Sequence, residues 1–513
     1  MAFKSTRKAS LVFWLFLLTV ALLLRVGGLR YGLPYLYHPD EPTNIQVSLN
    51  LLQNGSLKPD YYFYPSLLFY LNSFVLSIYY KVGLFLNIFS SVHDLPRIEI
   101  VHLGMGIVSK PSMILVCRGL SAIISWLGVV VCLECSHYLF NEWYNKLIAL
   151  VCIIFSPLVL WVSHFAVPDV LLLFFNTALI FFALFIFEKG FLRYYLGAGI
   201  LLGLAISSKY NAVIFAVTIL IAHGFRVGFK RIFNWSIFFA FLTCVLTWLV
   251  LNPYSIIDRE NFWEQAIGIV THYATANQTK EMGNLGFAGW QYLKLLWKDV
   301  GVFLILAGIG VFTCIQKRSF KLILISITVL TYFSVISLMA INTRQTLVPI
   351  IPLIGLLASA GWGFLWKMTT KGNLVRISLV LLVAIQTILM GYNSVKMVIN
   401  YSVPDGREYA RVWINDNITA GARIALESYS PLIDTSQFKV QYMRRMIDQT
   451  IIQYREQGVD YLVFSQGMFG RYFREPNLYE NEVSRYKLLF SELELLKTFD
   501  QAEYEIKIYK ISD

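Results

Sequence analysis

Charge is scarce in this sequence. Only 14% of its 513 residues are Asp, Glu, Lys or Arg, and 57% are apolar, where a soluble domain is about a quarter charged. That scarcity excludes an ordinary soluble chain, and the mean hydropathy of +0.59 agrees. Cysteine is sparse as well. Cys117, Cys132, Cys135, Cys152, Cys244 and Cys314 all lie in or beside apolar runs, and none falls in the polar C-terminal part. A disulfide framework is therefore excluded there, and the Cys132/Cys135 pair reads as packing on an apolar helix. Histidines at metal-binding spacing (HxxxH, HExxH), internal repeats and low-complexity tracts are missing too. Basic residues outnumber acidic ones, 43 to 31. They are scattered between apolar runs and form no dense patch, which argues against nucleic acid as a partner and suits cytoplasmic loops and anionic lipid headgroups.

What is present is a succession of apolar runs of the length that crosses a bilayer, roughly 20 residues. They are Leu11–Leu29, Pro111–Cys135, Lys146–Val162, Val170–Phe187, Tyr195–Ser207, Ala212–Phe225, Ile232–Leu251, Val300–Ile315, Leu322–Ile341, Thr346–Trp366 and Leu374–Val395. The first follows a basic start and has no small-residue cleavage site after it, so it is expected to be an uncleaved first helix. A further run, Ser66–Ser90, is ambiguous. If it does not cross, Lys146, Lys189, Arg193, Arg226, Lys230, Arg231, Lys317, Arg318, Lys321, Lys367, Lys371 and Arg376 fall on one side with the basic N-terminus, as the positive-inside rule requires. Ser66–Ser90 is therefore expected to lie in the interface. The expectation is an α-helical polytopic membrane protein of about eleven spans over residues 1–399. Its large outer loop is 31–110, and a small outer-face α/β domain follows over 400–513. In that domain Arg423–Glu427, Asp460–Phe464 and Glu503–Ile508 read as strands, and Gly406–Asn415 and Tyr442–Gln457 as helices.

The outer side then holds the residues that could do chemistry. His38-Pro-Asp40-Glu41-Pro42 sets two adjacent carboxylates beside the first span, bracketed by prolines. Such acids serve as general base or, with His38, as ligands to a divalent cation; the bland alternative is a helix cap at Asp40. Ser163-His164 through Pro168-Asp169 places a second acid at the opening of an apolar span, where it is either a functional group or another cap. Lys209, Arg344 and Arg118 stand at or near outer span ends. They could hold a lipid phosphate or simply snorkel to headgroups. Asn54, Asn277 and Asn417 begin glycosylation triplets on this side.

Taken in order, these motifs resemble the GT-C membrane glycosyltransferases, closest to the group of protein O-mannosyltransferases and lipid A aminoarabinose transferases. The resemblance runs through His38–Pro42, Gly55-Ser-Leu-Lys-Pro59, Tyr64-Pro-Ser-Leu-Leu-Phe-Tyr-Leu71, Arg118-Gly-Leu-Ser-Ala122, Ser163–Asp169, Gly203–Tyr210 and Thr343-Arg344 to Pro352, with Gln345 where the family usually has Tyr. It covers the chain from the first helix to about Trp366.

The resemblance implies an inverting transfer of a sugar from a polyprenyl-phosphate carrier to a hydroxyl of a lipid, glycan or protein. Asp40 would be the base, Glu41 and Asp169 would position groups or support a cation, and Lys209, Arg344 and Arg118, with His164 and Tyr64, would bind the lipid phosphate and sugar. No trefoil-type insertion and no WWDYG-type segment accompanies it, so a protein acceptor is not favoured. A transporter or flippase is the rival reading; its ionisable residues would lie mid-span between repeats. A prokaryotic plasma membrane is the expected location, with the acids and the C-terminus facing out.

Overall fold

The computed structural model describes residues 2–102, 105–275, 289–339, 341, 343–369, 374–474, 476–500 and 504–511. Asn277, Lys371 and Glu503, named above, lie outside them. The chain forms two compact units. The first comprises Met1–Gly27, Val47–Asp94 and Met113–Met397, and the second Gly28–Gln46, Leu95–Ser112 and Val398–Asp513.

The first unit is helical, and each apolar run predicted to cross forms a helix or a bent helix pair, as a multi-pass integral membrane protein requires. Among the described residues, seven helices are long and apolar enough to cross a membrane, or nine if each of two bent pairs is one span. Leu11–Val26, Leu192–Ile206 and Trp235–Leu251 are shorter apolar helices. Leu67–Phe85, expected in the interface, is itself among the seven by length and apolarity. Phe74, Ile78, Val82 and Phe85 make an exposed stripe along it.

The bends have local causes. Trp143–Ile154 and Pro157–Ser163 meet at 52°. Ser156 caps the second helix by accepting from the Val159 N–H, and Pro157 starts it. The buried Asp299 carboxylate braces this break, accepting from the Ser156 hydroxyl at 2.6 Å and the Leu158 N–H at 2.8 Å. Gly289–Val300 and Val302–Gln316 meet at 112° through Gly301, whose φ of +52° favours glycine. Farther along, Val302–Gln316 packs on Ile351–Met368 at glycines: a Cβ on Gly310 would lie 2.0 Å from the Leu357 carbonyl oxygen. Small residues at such crossings let helix backbones touch, which is where packing energy between helices in lipid comes from.

The second unit contains two sheets. Tyr35–Leu36 (β1), Glu99–His102 (β2) and Met105–Ile107 (β3) form an antiparallel ribbon in the order β1-β3-β2. Arg423–Glu427 (β4), Lys439–Met443 (β5), Tyr461–Ser465 (β6), Glu494–Phe499 (β7) and Ile506–Lys510 (β8) form a mixed sheet in the order β5-β4-β6-β8-β7. Strands β5, β4 and β6 run parallel, and β8 and β7 complete the sheet antiparallel. Period-two alternation feeds two cores. Ile424, Leu426, Val463 and Ile508 pack with Ala410 and Ile414 of helix Gly406–Asn417, while Ala425, Leu462, Phe464 and Tyr509 pack with helices Gln466–Phe473 and Glu480–Glu492. The helix expected over Tyr442–Gln457 is corrected. Tyr442 and Met443 close strand β5, and the helix begins only at Ile451, where Thr450 and Gln453 make a reciprocal capping box.

Glu427 ends β4 fully buried, accepting from the N–H groups of Met446 and Ser465 and from the Tyr486 hydroxyl. Burial pushes its carboxyl up to about 7 from an ordinary 4.5, against the pull of those donors. The protonated form therefore supports the fold fully below pH about 4.5, and that support is lost as pH rises through about 7, by at most about 3 kcal/mol. Amide-exchange protection of β4 and β6 in the intact protein, corrected for intrinsic rates, is expected to fall from about pH 5 to 8. Glu427→Gln should flatten the slope, and a slope unchanged in the variant would assign it to other groups.

Candidate active site

In the first unit, one short segment gathers the predicted cations. The turn and helix start from Trp161 to Asp169 receive all three. The Arg344 guanidinium lies 3.7 Å above the Trp161 ring, Arg118 lies 5.3 Å from the Phe165 ring, and the Lys209 ammonium is 2.8 Å from Asp169 Oδ1. An aromatic face attracts a cation through its ring quadrupole, so Trp161 and Phe165 help to fix the Arg344 and Arg118 guanidinium groups.

The fold positions Asp169, Lys209 and Arg344 at helix boundaries, and Arg118 within a helix. Asp169 is the first residue of helix Asp169–Glu188, where a carboxylate suits the positive end of the helix dipole. It is buried, and its second oxygen, Oδ2, has no hydrogen-bond partner among the described residues. Lys209 is extended, between helix Leu192–Ile206 and the 3₁₀ turn Tyr210–Phe215. Arg344 opens the 3₁₀ turn Arg344–Ile350 and is exposed. Arg118 is fully buried in helix Pro111–Leu139. His164 is buried as well, with Nδ1 and Nε2 each 2.6 Å from a backbone carbonyl, of Leu160 and Gly27. Both ring nitrogens thus face the protein's own backbone. Tyr64 is half-buried and packs in a small cluster with Val47, Leu51 and Phe69.

Polar residues that sequence reasoning missed hold the Lys209 segment. Asn252, fully buried, accepts from the Ser66 N–H at 3.0 Å and donates to the Ser207 hydroxyl at 3.0 Å. The Ser207 carbonyl accepts from the Leu67 N–H, and the Tyr210 hydroxyl donates to the Tyr62 carbonyl. Asn211 donates to the Tyr332 hydroxyl, which donates onward to the Thr346 carbonyl, so the turns that follow Lys209 and Arg344 share a bridge. The available signal is Asn252-Pro253 at the close of an apolar run: a polar side chain at a span end next to a helix breaker.

In the second unit, Asp40 is half-buried immediately before helix Glu41–Asn54. Its carbonyl accepts the first helical bond, from the Asn44 N–H, and its own N–H donates to His38 Nδ1 at 3.2 Å. Glu41 is fully buried. Asp40, Glu41 and His38 were the candidate cation ligands, but among the described residues no three His, Cys, Asp or Glu side chains come together as a metal site.

The chain is similar to known proteins in part of its sequence and in its fold. The family described as dolichyl-phosphate-mannose-protein mannosyltransferase matches residues 100–254, a stretch that includes Arg118, His164, Asp169 and Lys209 but not Asp40 or Arg344. ArnT from Cupriavidus metallidurans, solved with bound undecaprenyl phosphate, superposes with a TM-score of 0.53 at 14% identity, over 97% of this chain and 98% of that one. The archaeal oligosaccharyltransferase AglB from Archaeoglobus fulgidus, solved with an inhibitory peptide and a dolichol-phosphate, gives 0.53 at 13% identity, over 97% of this chain and 74% of that one. No curated protein matches the sequence. At such identities the likeness is one of fold: the chain has the GT-C architecture, as the sequence led us to expect.

Proposed function

We propose that this chain of GT-C fold is a glycosyltransferase that takes a sugar from a polyprenyl-phosphate carrier and passes it, with inversion, to an acceptor hydroxyl at the outer face of the membrane. The observation that carries the reading is the convergence of Arg118, Lys209 and Arg344 on Trp161–Asp169. A lipid-phosphate leaving group takes on negative charge as its bond to the sugar breaks, and fixed cations stabilise that charge by about 3–4 kcal/mol per well-placed donor.

The roles follow. Asp40 accepts the proton of the acceptor hydroxyl as its oxygen bonds to the anomeric carbon. The bond from that carbon to the phosphate oxygen breaks, and its electron pair leaves with the phosphate. Lys209, Arg118 and Arg344 receive the phosphate. Asp169 orients Lys209 and offers Oδ2 to a sugar hydroxyl. The transporter alternative would place such groups mid-span, whereas Asp169, Lys209 and Arg344 stand at helix boundaries.

The test is release of labelled sugar from polyprenyl-phosphate mannose, glucose, galactose and aminoarabinose by purified protein with lipid extract. The expected result is consumption of one donor with formation of free polyprenyl phosphate. Intact donor throughout, with carrier-linked sugar crossing vesicle membranes instead, would favour the transporter.

A further inference from the structure

The acid assigned as base sits in a segment held by the start of the C-terminal part. Helix Gly406–Asn417 begins with Asp405 as its cap, accepting from the Arg407 N–H at 2.9 Å. Asp405 and Arg407 are almost fully buried. Arg407 binds its acid through two nitrogens, Nε to Oδ1 at 2.7 Å and Nη2 to Oδ2 at 3.0 Å. The Tyr31 hydroxyl joins this pair, donating to Asp405 Oδ2 at 2.5 Å and accepting from Arg407 Nη2 at 2.9 Å. The face of the same guanidinium lies 3.7 Å from the Tyr37 ring, and the Tyr37 hydroxyl donates to Glu408. Arg411 pairs with Glu408 and stacks on Tyr35 at 4.5 Å. Three tyrosines of the segment before Asp40 are thus interleaved with four charged residues of one short stretch, 405–411.

The grip reaches Asp40 from both directions. Tyr37 precedes it by one turn of chain, and β1 is paired to β3 at Tyr35↔Ile107 and Leu36↔Gly106. On the other side of Asp40, a Cβ on Gly106 would lie 3.3 Å from Pro42 Cβ, and Gln46 accepts from the Ile98 N–H at 2.7 Å. Burying a charged pair in this way is costly and adds little net stability, whereas removing one partner strands the other charge. Such a pair fixes a geometry more than it holds a fold together.

We propose that Asp405 and Arg407 are positioning residues for Asp40. Through Tyr31 and Tyr37 they hold the base-bearing segment at the distance and angle that proton transfer needs. The proposal rests on the assignment of Asp40 as base and gives the C-terminal part a role in the reaction. A general base works only within hydrogen-bond reach of its proton, and a misplacement of about 1 Å costs about a hundredfold in rate.

The experiment compares Arg407→Lys, Tyr37→Phe and Asp40→Asn in full-length protein, reading kcat and donor KM separately together with thermal melting. Lysine keeps the charge of Arg407 but not its two-nitrogen grip or its stacking face. Phenylalanine keeps the ring under Arg407 and removes only the bond to Glu408. Expected are a fall in kcat of about a hundredfold for Arg407→Lys and about tenfold for Tyr37→Phe, with donor KM within about twofold of wild type. Unchanged kcat in both, with Asp40→Asn inactive, would overturn the positioning role and leave the base assignment standing. Activity retained in Asp40→Asn would remove the base and this proposal together. A loss of kcat that only tracks a loss of folded protein would reduce the cluster to fold stability and overturn the proposal as well.

Discussion

Asp40→Asn is expected to lower sugar transfer by about 10²–10⁴-fold while polyprenyl-phosphate binding stays intact. Asparagine matches aspartate in size and is as good a residue before a helix, so helix Glu41–Asn54 keeps its start and the Asn44 N–H keeps its acceptor, which is a backbone carbonyl. What disappears is the ability to take up a proton. Single-turnover release of labelled sugar measures the loss, and retention of labelled polyprenyl phosphate measures binding. Equal transfer by wild type and variant would clear Asp40 of the role and move the search for a base to Asp169.

Lys209→Met should produce two effects that can be separated. It strands the Asp169 carboxylate, which is 1% exposed and loses its 2.8 Å partner. Removing one member of a buried pair costs about 3–5 kcal/mol, so melting in detergent should come markedly earlier. It also removes a cation from the proposed phosphate site, worth about 10²–10³-fold in transfer. The double variant Lys209→Met/Asp169→Asn carries neither charge, and most of the stability should return while transfer does not. If transfer returned with stability, the Lys209 charge would matter only to the fold, and the phosphate would have to be held by Arg118 and Arg344.

Much of this architecture is legible in the amino-acid sequence alone, and the physical reason is locality. A span is a contiguous run of apolar residues, and a cation at its end is visible beside it, so Arg118, Lys209 and Arg344 stand out. Central strands are legible for a similar reason: β4 and β6 are buried on both faces and read as apolar runs. Lys439–Met443 is not, because it is an edge strand only partly covered, and its last two residues fall in the stretch Tyr442–Gln457 that read as a helix. Glu494–Phe499, at the other edge, is mostly exposed and gives no signal. The stacking partners Trp161 and Phe165 lie within apolar sequence, where an aromatic residue has no visible role until a guanidinium lands on it. Tyr31, Tyr37, Asp405 and Arg407 are invisible as a group, since each looks like an ordinary polar residue and their association is a matter of tertiary pairing.

That last association sets an order of events during synthesis. Tyr31 and Asp405 are 374 residues apart in the chain. At about 5–20 residues per second a ribosome makes Asp405 roughly twenty seconds to more than a minute after Tyr31. Throughout that interval the segment bearing Asp40 is without Asp405 and Arg407 to grip it. Competence therefore comes late in translation, and a chain arrested after its last apolar helix would carry every proposed phosphate-binding cation yet lack the grip on its base.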